Sequence, residues 1–132
     1  MASSFVTSKA NEILTAEFKT ATVYGVLLEA DPGDTGAVTC EVADAYCYSR
    51  PEITFASDAS SRSIANTAAL EFDPASGGAW GTITHLGIAT CDTRGQTIDV
   101  AYGSLTASKQ IDDGDQLKFA IGNISISIAA GA

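Results

Sequence analysis

From Thr22 to its end the chain is a succession of short β-prone runs divided by Gly, Asp, Pro and Asn, the sequence signature of a many-stranded antiparallel sheet. The runs expected as strands are Thr22 to Glu29, Val38 to Val42, Glu52 to Ala56, Ile64 to Phe72, Trp80 to Thr90, Thr97 to Tyr102, a less regular Gly103 to Ile111, and two arms at the end. In those last arms Leu117, Phe119 and Ile121 alternate on one side of Gly122-Asn123, and Ile124, Ile126 and Ile128 on the other, which spells a two-residue hairpin. Turn chemistry separates the rest: Asp31-Pro32-Gly33-Asp34 presets one exposed loop, and Pro51 marks a strand start or edge. Gly81 and Gly87 inside the longest run point to bulges or close backbone approach. About eight or nine strands at a spacing of roughly 8 to 12 residues favour an antiparallel β-sandwich of jelly-roll-like form over a repeat solenoid.

The N-terminal segment follows a different period. Ala10, Ile13, Leu14, Glu17 and Phe18 fall at helical spacing behind the candidate caps Ser4, Thr7 and Ser8, so a short amphipathic helix is expected over residues 7 to 18 after a mobile Met1 to Val6. A chain of 132 residues suffices for one core and is too short for two independent ones. The expected organisation is therefore an N-terminal arm or helix, 1–20, and a β-sandwich domain, 21–132. The stripe Ile13, Leu14 and Phe18, with Phe5 and Val6 ahead of it, is more apolar than a terminus usually leaves in water, which makes these five residues the candidate partner-binding site.

Charge excludes some partners. Sixteen acidic residues against seven basic ones give a formal net charge of −9, which repels a phosphate backbone, so nucleic acid is not expected. No stretch reaches the roughly 18 to 20 consecutive apolar residues that cross a bilayer, and Met1 to Thr20 lacks a basic segment followed by an apolar run, so neither a membrane span nor a standard export signal is expected. Cys40, Cys47 and Cys91 are odd in number and lack metal-ligand spacing, which leaves reduced, partly buried thiols.

Chemistry-bearing patterns are sparse. His85 is the only histidine and cannot by itself build a metal site or a nucleophile–base pair. No Gly-x-Ser-x-Gly elbow occurs, and Gly77-Gly78 precedes a strand rather than a helix, so neither a hydrolase triad nor a phosphate cradle is supported. The clusters Asp31/Asp34 and Asp112/Asp113/Asp115 read as turn residues first and as weak oxygen-ligand ion sites second. Tyr24, Tyr46, Tyr48, Trp80 and Tyr102 read as core or interface rings first and as sugar-stacking platforms second. No catalytic residue, cofactor or metal is assigned, and the chain is expected not to be an enzyme.

Several stretches taken in order resemble a widespread family of small tailed-phage virion proteins, often tail-fibre-like: Met-Ala-Ser-Ser-Phe5, Thr22-Val-Tyr-Gly-Val-Leu27 with Asp31-Pro-Gly-Asp34, Ile53-Thr-Phe-Ala56, Ala79-Trp-Gly-Thr-Ile-Thr-His-Leu-Gly-Ile88, and Gly103-Ser-Leu-Thr-Ala-Ser-Lys109 with Gly114-Asp115. The similarity covers nearly the whole chain, with Trp80-Gly-Thr-Ile-Thr-His85 its most specific part; Phe18-Lys-Thr-Ala21 and the Thr90-Cys-Asp-Thr-Arg94 turn depart from it. The resemblance implies a structural virion protein, assembled in the cytoplasm of a host bacterium. Its size and arm look like those of a capsid cement or decoration protein on the capsid exterior, with the major capsid protein and copies of itself, as a homotrimer, for partners. The competing expectation is a tail-fibre or receptor-binding module that recognises host-surface glycans, with a glycan-degrading enzyme third.

Overall fold

The computed structural model describes residues 5–129. One helix, α1 (Thr7–Leu14), runs on into a π-helical turn over Thr15–Thr20; eight strands follow, β1 (Val23–Leu28), β2 (Glu52–Ile53), β3 (Ser63–Ala65), β4 (Leu70–Glu71), β5 (Gly81–Ala89), β6 (Ala101–Ile111), β7 (Lys118–Phe119) and β8 (Ser125–Ser127). They form one four-stranded sheet in the order β2-β1-β5-β6 and two two-stranded ladders, β3-β8 and β4-β7. The regular elements are thus mostly strands with one short helix, antiparallel where β1, β5 and β6 pair and where β3 meets β8. These pairings establish the all-β class and go no further toward a jelly roll. No helix among the described residues is long and apolar enough to cross a membrane.

The chain divides into two compact units: residues 1–22, 53–70 and 119–132 make the first, and residues 23–52 and 71–118 the second. In the first, α1 begins behind an extended Val6 with no side-chain cap, so Thr7 and Ser8 lie inside the helix rather than ahead of it; Ser4 and the rest of Met1–Ser4 fall outside the described residues. The Ala21 amide reaches back five residues to the Ala16 carbonyl, the bond that makes the second half a π turn. Ala10, Leu14 and Phe18 are buried, and Phe18 meets Phe55 edge-on at 5.3 Å between ring centres.

Also in this unit, the expected terminal hairpin takes a different form. The turn is present, with the Asn123 amide bonded to the Ala120 carbonyl and Gly122 at φ 83°, but β7 pairs with β4 and β8 with β3. Asn66 is the physical reason. Its fully buried side chain donates to the carbonyls of Ala68 and Ala120 and accepts the Ile124 amide, while its backbone N–H donates to Ile124 and its C=O accepts Gly122. Groups that would have closed the hairpin ladder are held by one asparagine. Asn66 also ends β3, which splits the expected Ile64 to Phe72 run into two strands.

In the second unit, β1 is central and buried on both faces apart from Tyr24, as its apolar run demands. Val26 and Leu28 pack with Ala89 and Ile98, each contributing roughly 1.5–3 kcal/mol of burial for its larger side chains. Tyr48, Phe72 and Trp80 make a second cluster, with Tyr48 and Trp80 edge to face at 5.5 Å. Gly87 is a close approach rather than a bulge: a Cβ there would lie 2.8 Å from Ile98 Cδ1. The bulge sits elsewhere. Ile83 pairs with Lys109 and His85 with Ser104, so Leu105–Ser108 swell out of β6 opposite Thr84 alone. The expected strand Val38 to Val42 is reduced to a single bridge between Glu41 and Leu28, and Thr97–Val100 is not strand, because Ile98 gives its amide to Gly36 instead of a ladder.

Candidate assembly surface

The strongest chemistry in the molecule is a buried carboxylate–guanidinium pair in the second unit that sequence reading did not single out. Glu41 follows the short Val38–Cys40 run and Arg50 precedes Pro51; both side chains have no exposed area. Glu41 Oε1 accepts Arg50 Nη2 at 2.8 Å and the Gly95 amide at 2.9 Å; Oε2 accepts the Tyr48 hydroxyl at 2.7 Å and Arg50 Nε at 2.9 Å. Arg50 further donates to the carbonyls of Cys91 and Gln96, and the Tyr48 oxygen accepts the Leu27 amide. Arg94 adds bonds to the carbonyls of Glu41 and Val42. Burial alone would raise Glu41, yet the hydrogen bonds from Arg50, Tyr48 and Gly95, with the Arg50 charge, outweigh it and hold the carboxyl below its ordinary value. Burial first, and then the bond to Glu41 and its charge, push the Tyr48 phenol far above its usual range.

Four donors on two oxygens leave this carboxylate no free position for a substrate. Among the described residues no buried side-chain nitrogen or oxygen lacks a partner. The pair is a lock: it ties residues 41–50 to the 91–96 loop and to β1. A sequence signal for it did exist, since a glutamate and an arginine flanking apolar runs in a chain with seven basic residues are natural partners.

The other candidates also resolve into structural contacts. His85 Nδ1 lies 2.8 Å from Thr84 Oγ1 at the β6 bulge. Asp31 accepts the Gly33 amide, Asp34 the Tyr102 hydroxyl, Asp113 the Gly77 amide and Asp115 the Asp112 amide, so each carboxylate holds a turn or a neighbour. No group of three or more His, Cys, Asp or Glu side chains among the described residues is placed to hold a metal ion. Tyr48 and Trp80 are core rings, Tyr24 is half-buried, and Tyr46 and Tyr102 are exposed. Tyr102 lines an open cleft of about 310 Å³ with Asp34, Gly36, Ile98 and Asp99. Hydrogen bonds from Thr90 to Asp99, outweighing what burial it has, keep that carboxyl below its ordinary value.

The five residues proposed as a partner-binding arm separate into two sets. Leu14 and Phe18 are buried inside their own unit, and Ile13 is half-buried. Phe5 and Val6 remain 53% and 69% exposed. Arg62 holds this entry in place: its guanidinium donates to the carbonyls of Phe5, Ile128 and Ala129. The other large open surface is β6, the last strand of its sheet, with eight of its eleven residues exposed.

Residues 7–127 match the family model described as podophage GP4 fiber I protein gp80, and the chain belongs to that family. No curated protein matches it. The resemblance to a small phage virion family is thereby established, and with it a structural role in a virus particle.

Proposed function

We propose that the chain is a component of a podophage tail fibre that acts through protein contacts and changes no covalent bond. The family match over residues 7–127 carries this reading, because the family is described as a fibre protein. The saturation of Glu41 and Arg50 fits it, since this buried pair spends its hydrogen bonds on the protein itself. Gold-labelled antibody to this protein on intact particles is expected to mark the tail; label confined to the head would overturn the assignment.

A head position is the second reading, favoured by the exposure of Phe5 and Val6 ahead of α1. In that setting the chain would bind the outer capsid as a cement protein, a homotrimer seated on the major capsid protein. Truncating residues 1–18 is an unsuitable test, because it removes Ala10, Leu14 and Phe18 from a packed interior. Phe5→Ser with Val6→Ser keeps that interior, and undiminished binding of this variant to stripped capsids would exclude an arm-mediated head role.

A further inference from the structure

The formal charge of this chain is divided unevenly between its units. The first holds three acidic and three basic residues; the second holds thirteen acidic and four basic ones, and so the entire net charge of −9. Three of those four bases are already engaged: Arg50 by Glu41, Arg94 by the carbonyls of Glu41 and Val42, and Lys118 by Glu71 at 3.6 Å. The second unit therefore carries an acid surplus that a cation from outside can meet.

One place brings that surplus beside a free strand edge. The open cleft of about 310 Å³ is lined by Asp34, Gly36, Ile98, Asp99, Ala101 and Tyr102, which supply two carboxylates and a ring but no base. Its polar groups are held in place by the protein itself. Asp99 accepts the amide and the hydroxyl of Thr90, and the Tyr102 hydroxyl is anchored on Asp34. Arg50, whose charge reaches Asp99, is spent on Glu41. Ala101 and Tyr102 also open β6, which among the described residues pairs only with β5, so its outer edge presents unpaired backbone N–H and C=O groups. The bulge at Leu105–Ser108 interrupts that edge, and the regular stretch next to the cleft is Ala101–Ser104.

We infer that this edge and this cleft together dock an extended, basic segment of a partner protein, whose backbone adds a strand beside Ala101–Ser104 while one arginine or lysine enters the cleft of Asp34, Asp99 and Tyr102. Two independent features select that occupant. A free edge takes a peptide backbone, which a sugar or a lipid headgroup does not offer. Carboxylates beside an exposed ring take a cation, by charge and by the negative face of the ring. A second copy of this chain meets the first requirement and fails the second, since it brings the same net charge of −9 to the contact. The short regular edge makes charge the deciding contribution, so the interaction must weaken as salt screens it. The inference rests on the reading that the chain works through protein contacts, and names their chemistry. The two fail separately: one is read from the protein in solution, the other from label on the particle.

The test is an NMR titration of the isotope-labelled full-length protein with the blocked peptide Thr-Val-Arg-Val-Thr. Its controls are the same peptide with neutral citrulline for arginine, a version N-methylated at alternate residues so that it cannot pair with a strand, and glucosamine, a cation with no backbone. The arginine peptide is expected to shift amides at Asp34–Gly36 and Ile98–Ser104 in a saturable way, more weakly as salt rises. Citrulline or N-methylation should each weaken binding by about tenfold or more. Asp34→Asn with Asp99→Asn should do the same, because asparagine keeps an acceptor for Tyr102 and Thr90 and removes only the charge; circular dichroism and melting confirm that the variant is folded. Asp73→Asn, a carboxylate of the same unit outside the cleft, should leave binding within about twofold. Four results would overturn the proposal: no saturable shift at these amides, citrulline or N-methylated peptide binding as tightly as the parent, glucosamine binding as tightly as the peptide, or concentration-dependent shifts of the same amides without peptide, which would make a second copy the occupant.

Discussion

Each unit is organised around one arginine, and the two arginines are used in opposite ways. Arg50 is wholly buried, meets a carboxylate with two parallel bonds, and has its charge neutralised where water cannot do it. Arg62 is half-buried, meets no carboxylate among the described residues, and uses its fork to gather the carbonyls of Phe5, Ile128 and Ala129. A buried charge that loses its partner has nowhere to go, whereas carbonyls that lose an exposed donor can be rehydrated. The second unit is therefore brittle at its lock, and the first is tolerant at its clasp.

The largest effect should come from breaking that asymmetry directly. Arg50→Ala leaves Glu41 buried and unpaired and is expected to destabilise the protein by about 3–5 kcal/mol, against about 1–2 kcal/mol for Arg62→Ala, both read from chemical denaturation. Equal losses would show that Arg62 is as essential as the lock. Replacing Glu41 and Arg50 together with Leu and Met should recover only part of the loss, because it removes the orphaned charge but leaves the Tyr48 hydroxyl, the Gly95 amide and the Cys91 and Gln96 carbonyls without these partners.

The pH dependence sharpens the same contrast. Glu41 is depressed in the folded state, so its stabilisation is complete above its ordinary value of 4.5 and is lost as pH falls through the lower folded value. Acid melting should therefore steepen below about pH 4.5, and Glu41→Gln should flatten that limb while lowering stability at pH 7. Arg62→Ala should leave the shape of the acid limb unchanged, since its partners among the described residues are carbonyls, which do not titrate.

The smallest effect concerns strain that both units share. Tyr46 and Cys47 have φ of 56° and 70°, and Ser61 and Arg62 have 51° and 64°, so each unit contains a tight turn made of two left-handed residues with no glycine. Cys47→Gly and Ser61→Gly should each stabilise by about 1 kcal/mol or less in thermal melts, by relieving that conformation. A loss at either site would mean its side chain contributes more than its backbone costs. Tyr46 and Arg62 show why the strain persists. The Tyr46 carbonyl accepts Trp80 Nε1 and the Ser76 amide, and Arg62 closes the clasp.

What could be read in the chain and what could not differ by the range of the interaction. Val23–Leu28 and Gly81–Ala89 were legible as strands because β-prone residues run together there between Gly, Asp and Pro breaks, a signal that lies within the run itself. The helix was legible from its period, but its last turn was not, since a π turn over Thr15–Thr20 brings Phe18 onto Phe55, far along the chain. The terminal hairpin failed for the same reason. Gly122-Asn123 made the expected turn, and Asn66, more than fifty residues earlier, took the bonds that would have joined its arms.

The order of residues alone determined the all-β class, the two longest strand runs, the single short helix and the charge of −9, because these follow from period, composition and turn chemistry within about ten neighbours. Only the tertiary structure decided that Glu41 and Arg50 close on each other, that Asn66 parts the last two strands, and that the net charge lies in one unit while Phe5, Val6 and Ile121 stand exposed in the other. Those outcomes depend on which distant segments meet, and a local pattern carries no record of its partner.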